Sequence, residues 1–236
     1  MKSQILTRFI RSLLIIILPR KLRKYLRENR FYWKYKDVIN PFYKKNFDHY
    51  LSSNWDIPRR NDYSNYINQN NLKMIFEFGC APSLTLLNIL RNCPQSQVFG
   101  YDINKTHMSY AIDAAQESLD TRSKFYLELN REDMLNDLRL QNQDSFDLVI
   151  FDRVLMYLSD EQIQEHLNMY AVIYQRVLID DFFGNQQGNY RHRDFSNIMK
   201  LHGYQEDVMD NSQYSTEGMA GNNSKKAIYT RLTKES

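Results

Sequence analysis

The chain has 236 residues and a mass of 28.4 kDa, with 42% hydrophobic, 14% aromatic and 25% charged residues but only 7 glycines and 5 prolines. These figures exclude collagen-like, coiled-coil and wholly disordered chains and suit one globular domain with an appendage. The formal charge of +3 is uneven: residues 1–60 hold 15 Lys or Arg against 4 acids, and residues 61–236 hold 16 against 24.

Residues 1–60 therefore read as a basic, aromatic-rich helical extension, and residues 61–236 as the main domain. Within the extension, Ile5, Leu6, Phe9, Ile10, Leu13, Leu14, Ile16 and Ile17 predict an amphipathic helix over 3–18 that Pro19 ends. The unbroken apolar run, 13–18, is far short of the roughly 20 residues a membrane span needs. The basic stretch Pro19-Arg20-Lys21-Leu22-Arg23-Lys24 stands where a signal peptide would carry its small-residue cleavage site, so a cytoplasmic protein is expected. Two readings stand for residues 1–30: a peripheral anchor on an anionic membrane, or a helix packed on the main domain or on a partner copy.

Phe31, Tyr32, Trp33, Tyr35, Phe42, Tyr43, Phe47, Tyr50 and Trp55 follow, interleaved with Lys34, Lys36, Lys44 and Lys45. Such residues can stack single-stranded bases, close over an acceptor, or dock a helical cap on a sheet. No recognised nucleic-acid motif accompanies them, so the packing reading leads and nucleic acid is not the expected partner.

From residue 72 short apolar runs alternate with helical periodicity. Strands are predicted at 73–78, 97–101, 124–129, 146–151 and 177–181, with helices at 84–91, 106–119, 132–140 and 161–175. A helix at 195–202 and strands at 204–209 and 227–232 follow, the last two separated by a polar excursion in which 218–224 reads as a flexible loop. Repeated strand-helix-strand units imply an α/β fold with a mostly parallel sheet and right-handed crossovers. Cys80 and Cys93 sit in no CxxC pattern and beside no metal-spaced histidine, so neither a disulfide framework nor a metal is expected.

Ligands of such sheets bind beyond the carboxyl ends of the strands, where the strand order reverses. The first strand ends in Glu77-Phe78-Gly79-Cys80-Ala81-Pro82-Ser83. Small residues at 79, 81 and 83 permit a sharp turn and close approach to a ligand, Gly79 is free to take positive φ, and Glu77 sets a carboxylate nearby. Asp102 closes the second strand 23 residues after Gly79, the distance at which an acid accepts from ribose hydroxyls. It can also cap a helix starting near Asn104. A dinucleotide site shares the turn and the acid but wants a different glycine spacing, with no proline in the turn.

The segment IFEFGCAPS resembles motif I of the class I S-adenosylmethionine-dependent methyltransferases. The resemblance continues in order through Asp102, Arg131-Glu132-Asp133-Met134 and Ser145-Phe146-Asp147-Leu148-Val149-Ile150-Phe151-Asp152, covering about residues 72–232. It implies a Rossmann-like, seven-stranded, mostly parallel sheet with helices on both faces, its last strand (227–232) antiparallel beside the one ending in Asp181. It implies S-adenosylmethionine as cofactor, with Gly79 and Ala81 lining its methionine part; Glu77 and Ser83 are further cofactor-binding candidates, and Cys80 reads as a small buried filler contributing its backbone amide. Asp102 would bind the ribose, Ile103 would pack on adenine, and Met134 would border the ring. Asp133 would accept from the adenine amine or stand as an early-helix acid favoured by the dipole. Asp152 and Arg153 would face the methionine part or the acceptor. Ala81 and Ser83 replace the second and third motif glycines, which admits a non-catalytic, membrane- or nucleic-acid-associated scaffold as the alternative.

Methyl transfer to a hydroxyl calls for alignment, a dry site and a base. Tyr157, Asp181 and His192 are the candidates at the strand ends, Asp181 being preferred over Asp180 because alternation lets only one face the ligand edge. His166 reads as a helix-surface residue. O-methylation of a small molecule, glycan or lipid-linked sugar is the activity expected.

Overall fold

The computed structural model of the protein describes residues 56–81, 83–104, 108–109, 112–113, 121–183, 193–207 and 224–232. The helix expected at 3–18, most of that at 106–119, and His192 lie outside the described residues. In chain order the elements are α1 (Pro58–Gln69), β1 (Met74–Phe78), α2 (Leu84–Asn92), β2 (Gln97–Tyr101), β3 (Ser123–Tyr126) and α3 (Arg131–Leu140). Then come β4 (Leu148–Asp152), α4 (Asp160–Tyr170), β5 (Arg176–Phe182), α5 (Phe195–Leu201), β6 (Tyr204–Glu206) and β7 (Ser224–Arg231).

The seven strands form one sheet in the order β3-β2-β1-β4-β5-β7-β6. Strands β1 to β5 are parallel, and β7 runs antiparallel between β5 and β6. This is the Rossmann-like sheet that the motif order implies. The order reverses between β1 and β4, which puts the switch point at Gly79 and Asp152.

Strand alternation sorts the core into two layers. Ile75, Val98, Leu148, Ile150, Leu178 and Ile228 pack with Tyr63 and Ile67 of α1 and with the apolar side chains of α2. Phe76, Phe99, Val149, Phe151, Val177, Ile179 and Tyr229 pack on the opposite face with α3, α4 and α5. Strands covered on both faces read as near-continuous apolar runs, which is why the central strands were legible.

The boundaries that moved did so for identifiable reasons. Strand β3 stops at Tyr126, opposite Tyr101, where its single neighbour ends, and Leu127 is exposed. Strand β4 starts at Leu148 because the Asp147 carboxylate is spent on the Lys73 and Met74 amides at 2.7 and 3.0 Å, while Phe146 only bridges Tyr174. Helix α4 opens on a reciprocal capping box between Ser159 and Gln162. It ends at Tyr170 and not at 175: Ala171–Ile173 tighten into a 3-10 turn, and the Tyr204 hydroxyl donates to the Ala171 and Tyr174 carbonyls at 2.8 and 2.9 Å. Ser224, expected in a loop, begins β7.

Gly100 sits where β2 meets α2: a Cβ there would lie 2.7 Å from Leu86 Cδ1 and 2.8 Å from Cys80 Sγ. Gly100→Ala is expected to cost about 1–3 kcal/mol of stability in urea denaturation by overpacking this layer. A loss below about 0.5 kcal/mol would show that the layer yields.

Candidate active site

The turn after β1 is stitched to the end of β2. Gly79 adopts φ +76°, and its amide and that of Cys80 donate to the Tyr101 carbonyl at 2.7 and 3.0 Å. A Cβ at Gly79 would collide with the side chain of Val154, so glycine is required twice over, by conformation and by space. Asp102 accepts from the Ala81 amide at 3.2 Å and the Asn104 amide at 2.7 Å, bracing the turn and the segment after β2 together. A carboxylate offers about four acceptor sites, so this bracing is compatible with a further hydroxyl ligand. Ser83, the N-cap of α2, is fully buried with φ +61°, and its hydroxyl donates to Cys80 Sγ at 3.5 Å. Burial, then the charges of Glu77 and Asp102, hold the Cys80 thiol well above its usual range, which makes it an inert filler.

Ile103 is half-buried beside this turn. Asp133 is exposed in the first turn of α3, whose N-cap Asn130 accepts from the Glu132 amide at 2.8 Å. Met134 is fully buried in the core cluster.

A row of ionisable side chains crosses the carboxyl edge on the α1–α2 side. Glu77, Asp152, Asp180 and Lys226 all continue the alternation of Ile75, Ile150, Leu178 and Ile228, and register pairs Asp152 with Asp180 and Asp180 with Lys226. Helix α1 answers Asp152, Asp180 and Lys226. Arg59 pairs with Asp152 and Lys226 pairs with Asp62; the Tyr63 hydroxyl donates to Asp180 Oδ2 at 2.5 Å, and Thr85 of α2 donates to Asp152 Oδ2 at 3.1 Å. Burial, followed by the charge of Asp152, keeps the Glu77 carboxyl well above the ordinary range. Its Oε2 is buried and has no hydrogen-bond partner in the structure. Burial and then Asp152 likewise raise Asp180, whereas at Asp152 three arginines (Arg59, Arg60 and Arg153) outweigh burial and hold the carboxyl low.

Asp180 and Asp181 leave β5 on opposite faces. Asp181 is 1% exposed and accepts from the Met156 amide at 3.1 Å and its neighbour Phe182's at 2.8 Å, tying the 3-10 turn Leu155–Tyr157 to β5. Arg193 grips the same segment, donating to the Leu155 and Leu158 carbonyls at 2.9 and 2.6 Å and to Asp160 at 2.6 Å. The turn presents half-buried Tyr157 and begins with Arg153 at φ +55°, a strained conformation for a non-glycine residue.

His166 is not on the surface. It is 7% exposed, boxed by Phe78, Phe151, Tyr170 and Tyr174 and bonded to the Tyr174 hydroxyl at 3.1 Å. Burial pushes its pKa down to about 3, so it is a neutral core residue. The reason is register: His166 shares the inward stripe of Ile163, Leu167 and Tyr170. Arg59, Tyr63, Thr85 and Arg193 were not foreseen, since they lie outside the motifs and reach the site only through packing.

Residues 75–174 match the family model described as a methyltransferase domain. Over those residues the chain is similar to a methyltransferase domain. The crystal structure of the magnesium protoporphyrin IX methyltransferase of Synechocystis PCC 6803 with bound S-adenosylhomocysteine is similar at TM-score 0.56 and 14% identity, over 84% of this chain and 100% of that one. The mitomycin 7-O-methyltransferase is similar at TM-score 0.56 and 11% identity, over 82% of this chain and 58% of that one. At such identities the likeness is one of fold. No curated protein sequence matches the chain. Among the described residues, no group of three or more His, Cys, Asp or Glu is placed to hold a metal ion, and no helix is long and apolar enough to cross a membrane.

Burial, moderated by the two backbone amides, raises the Asp181 carboxyl to about 7. Its folded pKa exceeds its unfolded one, so the stability it contributes is full below the unfolded carboxyl value of about 4 and is lost as pH rises through about 7. A carboxyl-carbon NMR titration is expected to place the Asp181 midpoint near 7, and Asp181→Asn to flatten the decline in unfolding free energy between about pH 4 and 7. A midpoint near 4 would refute the assignment.

Proposed function

We propose that the protein is a class I S-adenosylmethionine-dependent methyltransferase that holds its cofactor along the carboxyl edge of β1, β2 and β4 and methylates a hydroxyl of a small molecule, glycan or lipid-linked sugar. The observation that carries the cofactor half is Asp102, half-buried at the end of β2 and braced by the Ala81 and Asn104 amides beside a positive-φ glycine. The unpartnered Oε2 of Glu77 supports a polar ligand group at the same edge, because a buried oxygen left without a donor costs about 1–3 kcal/mol.

In this reading Glu77, Gly79, Cys80, Ala81, Ser83 and Asp152 surround the methionine end. Asp102 takes the ribose, and Ile103, Asp133 and Met134 border the adenine. When bound, the cofactor supplies a methyl group on a sulfonium, whose charge disappears in the transfer. The protein's contribution is therefore alignment and exclusion of water. On the acceptor side, the reading gives Tyr157 and His192 the handling of the hydroxyl and its proton. Asp181, whose oxygens are held by the Met156 and Phe182 amides, positions the turn that bears Tyr157. Fold likeness to a 7-O-methyltransferase supports the choice of oxygen as acceptor atom. The basic surplus of residues 1–30 supports cytoplasmic residence with peripheral contact to an anionic membrane, where a lipid-linked sugar would be presented.

Calorimetric titration is expected to give micromolar binding of S-adenosylmethionine and S-adenosylhomocysteine, weakened at least about tenfold by Asp102→Ala, a loss of about 1.4 kcal/mol or more. Absence of binding by folded wild type would favour the non-catalytic scaffold that Ala81 and Ser83 admit. The membrane half has its own test in cosedimentation with phosphatidylserine vesicles: reversing the charges of Arg20, Lys21, Arg23 and Lys24 is expected to weaken binding by about 1 kcal/mol per residue. Unchanged sedimentation would remove the membrane from the reading.

A further inference from the structure

Helix α1 is an unusual cover for a sheet. Of its buried residues only Tyr63 and Ile67 are large and apolar; the others are Arg59, Arg60 and Ser64. Its seat is the row of charges at the carboxyl edge, with Asp152 at the centre. One Asp152 oxygen receives Arg59 and the other the Thr85 hydroxyl. The same guanidinium lies 3.4 Å from the Tyr63 hydroxyl and 3.7 Å from Asp180 Oδ2. Both members of the Arg59–Asp152 pair have side chains under 10% exposed, at 8% and 7%. In that setting removal of one partner leaves the other buried and uncompensated.

We propose that Arg59 is a positioning residue of the cofactor site, reaching in from α1 to hold the Asp152 carboxylate in place as a fixed negative charge toward the methionine end of the cofactor. This rests on the cofactor reading above and assigns to α1 a share in cofactor binding that motif positions alone do not contain. Among the described residues, the groups facing Asp152 come from several elements. Helix α1 brings Arg59, Arg60 and Tyr63, α2 brings Thr85, β1 brings Glu77 and β5 brings Asp180. Arg153 follows it in the chain, and the Asp62–Lys226 pair closes the row. Without Arg59, Asp152 stands buried between two carboxyl groups with Arg60 and Arg153 as the remaining cations. Arg59 is bonded directly to the Asp152 carboxylate.

The sign follows from linkage. A carboxylate held low stays ionised as the pH falls, and what depends on its charge is lost only below its folded pKa. Removing the cation that holds it low moves that loss upward, into mildly acidic solution.

The test is calorimetric titration with S-adenosylhomocysteine at several pH values on the full chain, together with carboxyl-carbon NMR titration of Asp152 without ligand. Wild-type affinity is expected to change less than about threefold between pH 5 and 7, Arg59→Met to weaken about tenfold or more over the same interval, and Arg59→Lys to restore the flat profile. The Asp152 midpoint should rise in Arg59→Met. An Arg59→Met affinity that is equally low at every pH, or equal to wild type throughout, overturns the proposal, because a structural role alone predicts no pH dependence. Should Arg59→Met not fold, the Arg59→Gln variant takes its place with the same expected profile. Absence of binding by wild type overturns the cofactor reading instead; the Asp152 midpoint then still tests Arg59, supporting its hold on Asp152 if it rises and refuting it if it does not.

Discussion

Three carboxyl side chains of neighbouring strands, Glu77, Asp152 and Asp180, point to one face at the carboxyl end of the sheet and are nearly withdrawn from water. Like charges so placed cannot all be ionised without cations; Lys226 stands at the end of the row and Arg153 follows Asp152. Helix α1 answers this constraint with Arg59, Arg60 and the Tyr63 hydroxyl. The same helix that completes the apolar layer through Tyr63 and Ile67 thus neutralises the carboxyl edge of the sheet. Fold closure and site electrostatics are one arrangement.

The opposite face solves a different problem, holding the segment after β4 without regular structure. Asp181 takes the Met156 amide and Arg193 takes the Leu155 and Leu158 carbonyls, so an irregular turn becomes a fixed one. With that turn held, Val154 packs against Gly79 and Arg153 is kept in a strained conformation. Positive-φ residues at 79, 83 and 153 gather at a single edge of the sheet. Strain of this kind persists only where surrounding contacts over-determine it, and it marks functional edges more often than scaffolds. The switch point, the braced Asp102 and the strained turns thus coincide, as expected of a ligand site in an open α/β sheet.

The similarity to the two methyltransferase structures is in topology and not in side chains, at 14% identity or less. A fold of this type fixes where a ligand lies because strand ends and helix starts are properties of the backbone. The chemistry beyond the cofactor depends on the loops after β4 and β5 and on what covers them. In this chain those are the elements held by Asp181, Arg193 and the charges of α1.

By itself the sequence determined the alternating elements, the sheet class, the glycine turn after β1 and the acid at the end of β2. Each of these is a local pattern: apolar runs of strand length, a small residue where the backbone must turn, and a carboxylate at a fixed distance along one strand-helix-strand unit. The tertiary structure alone decided the rest. It put His166 in an aromatic box because the inward stripe of α4 passes through it, and sent Asp180 and Asp181 to opposite faces with different partners. It also brought Arg59 to Asp152, across 93 positions of chain. No local periodicity encodes that meeting, because it is set by how a polar helix settles on a row of buried charges, and that balance of desolvation against pairing exists only once the sheet has formed.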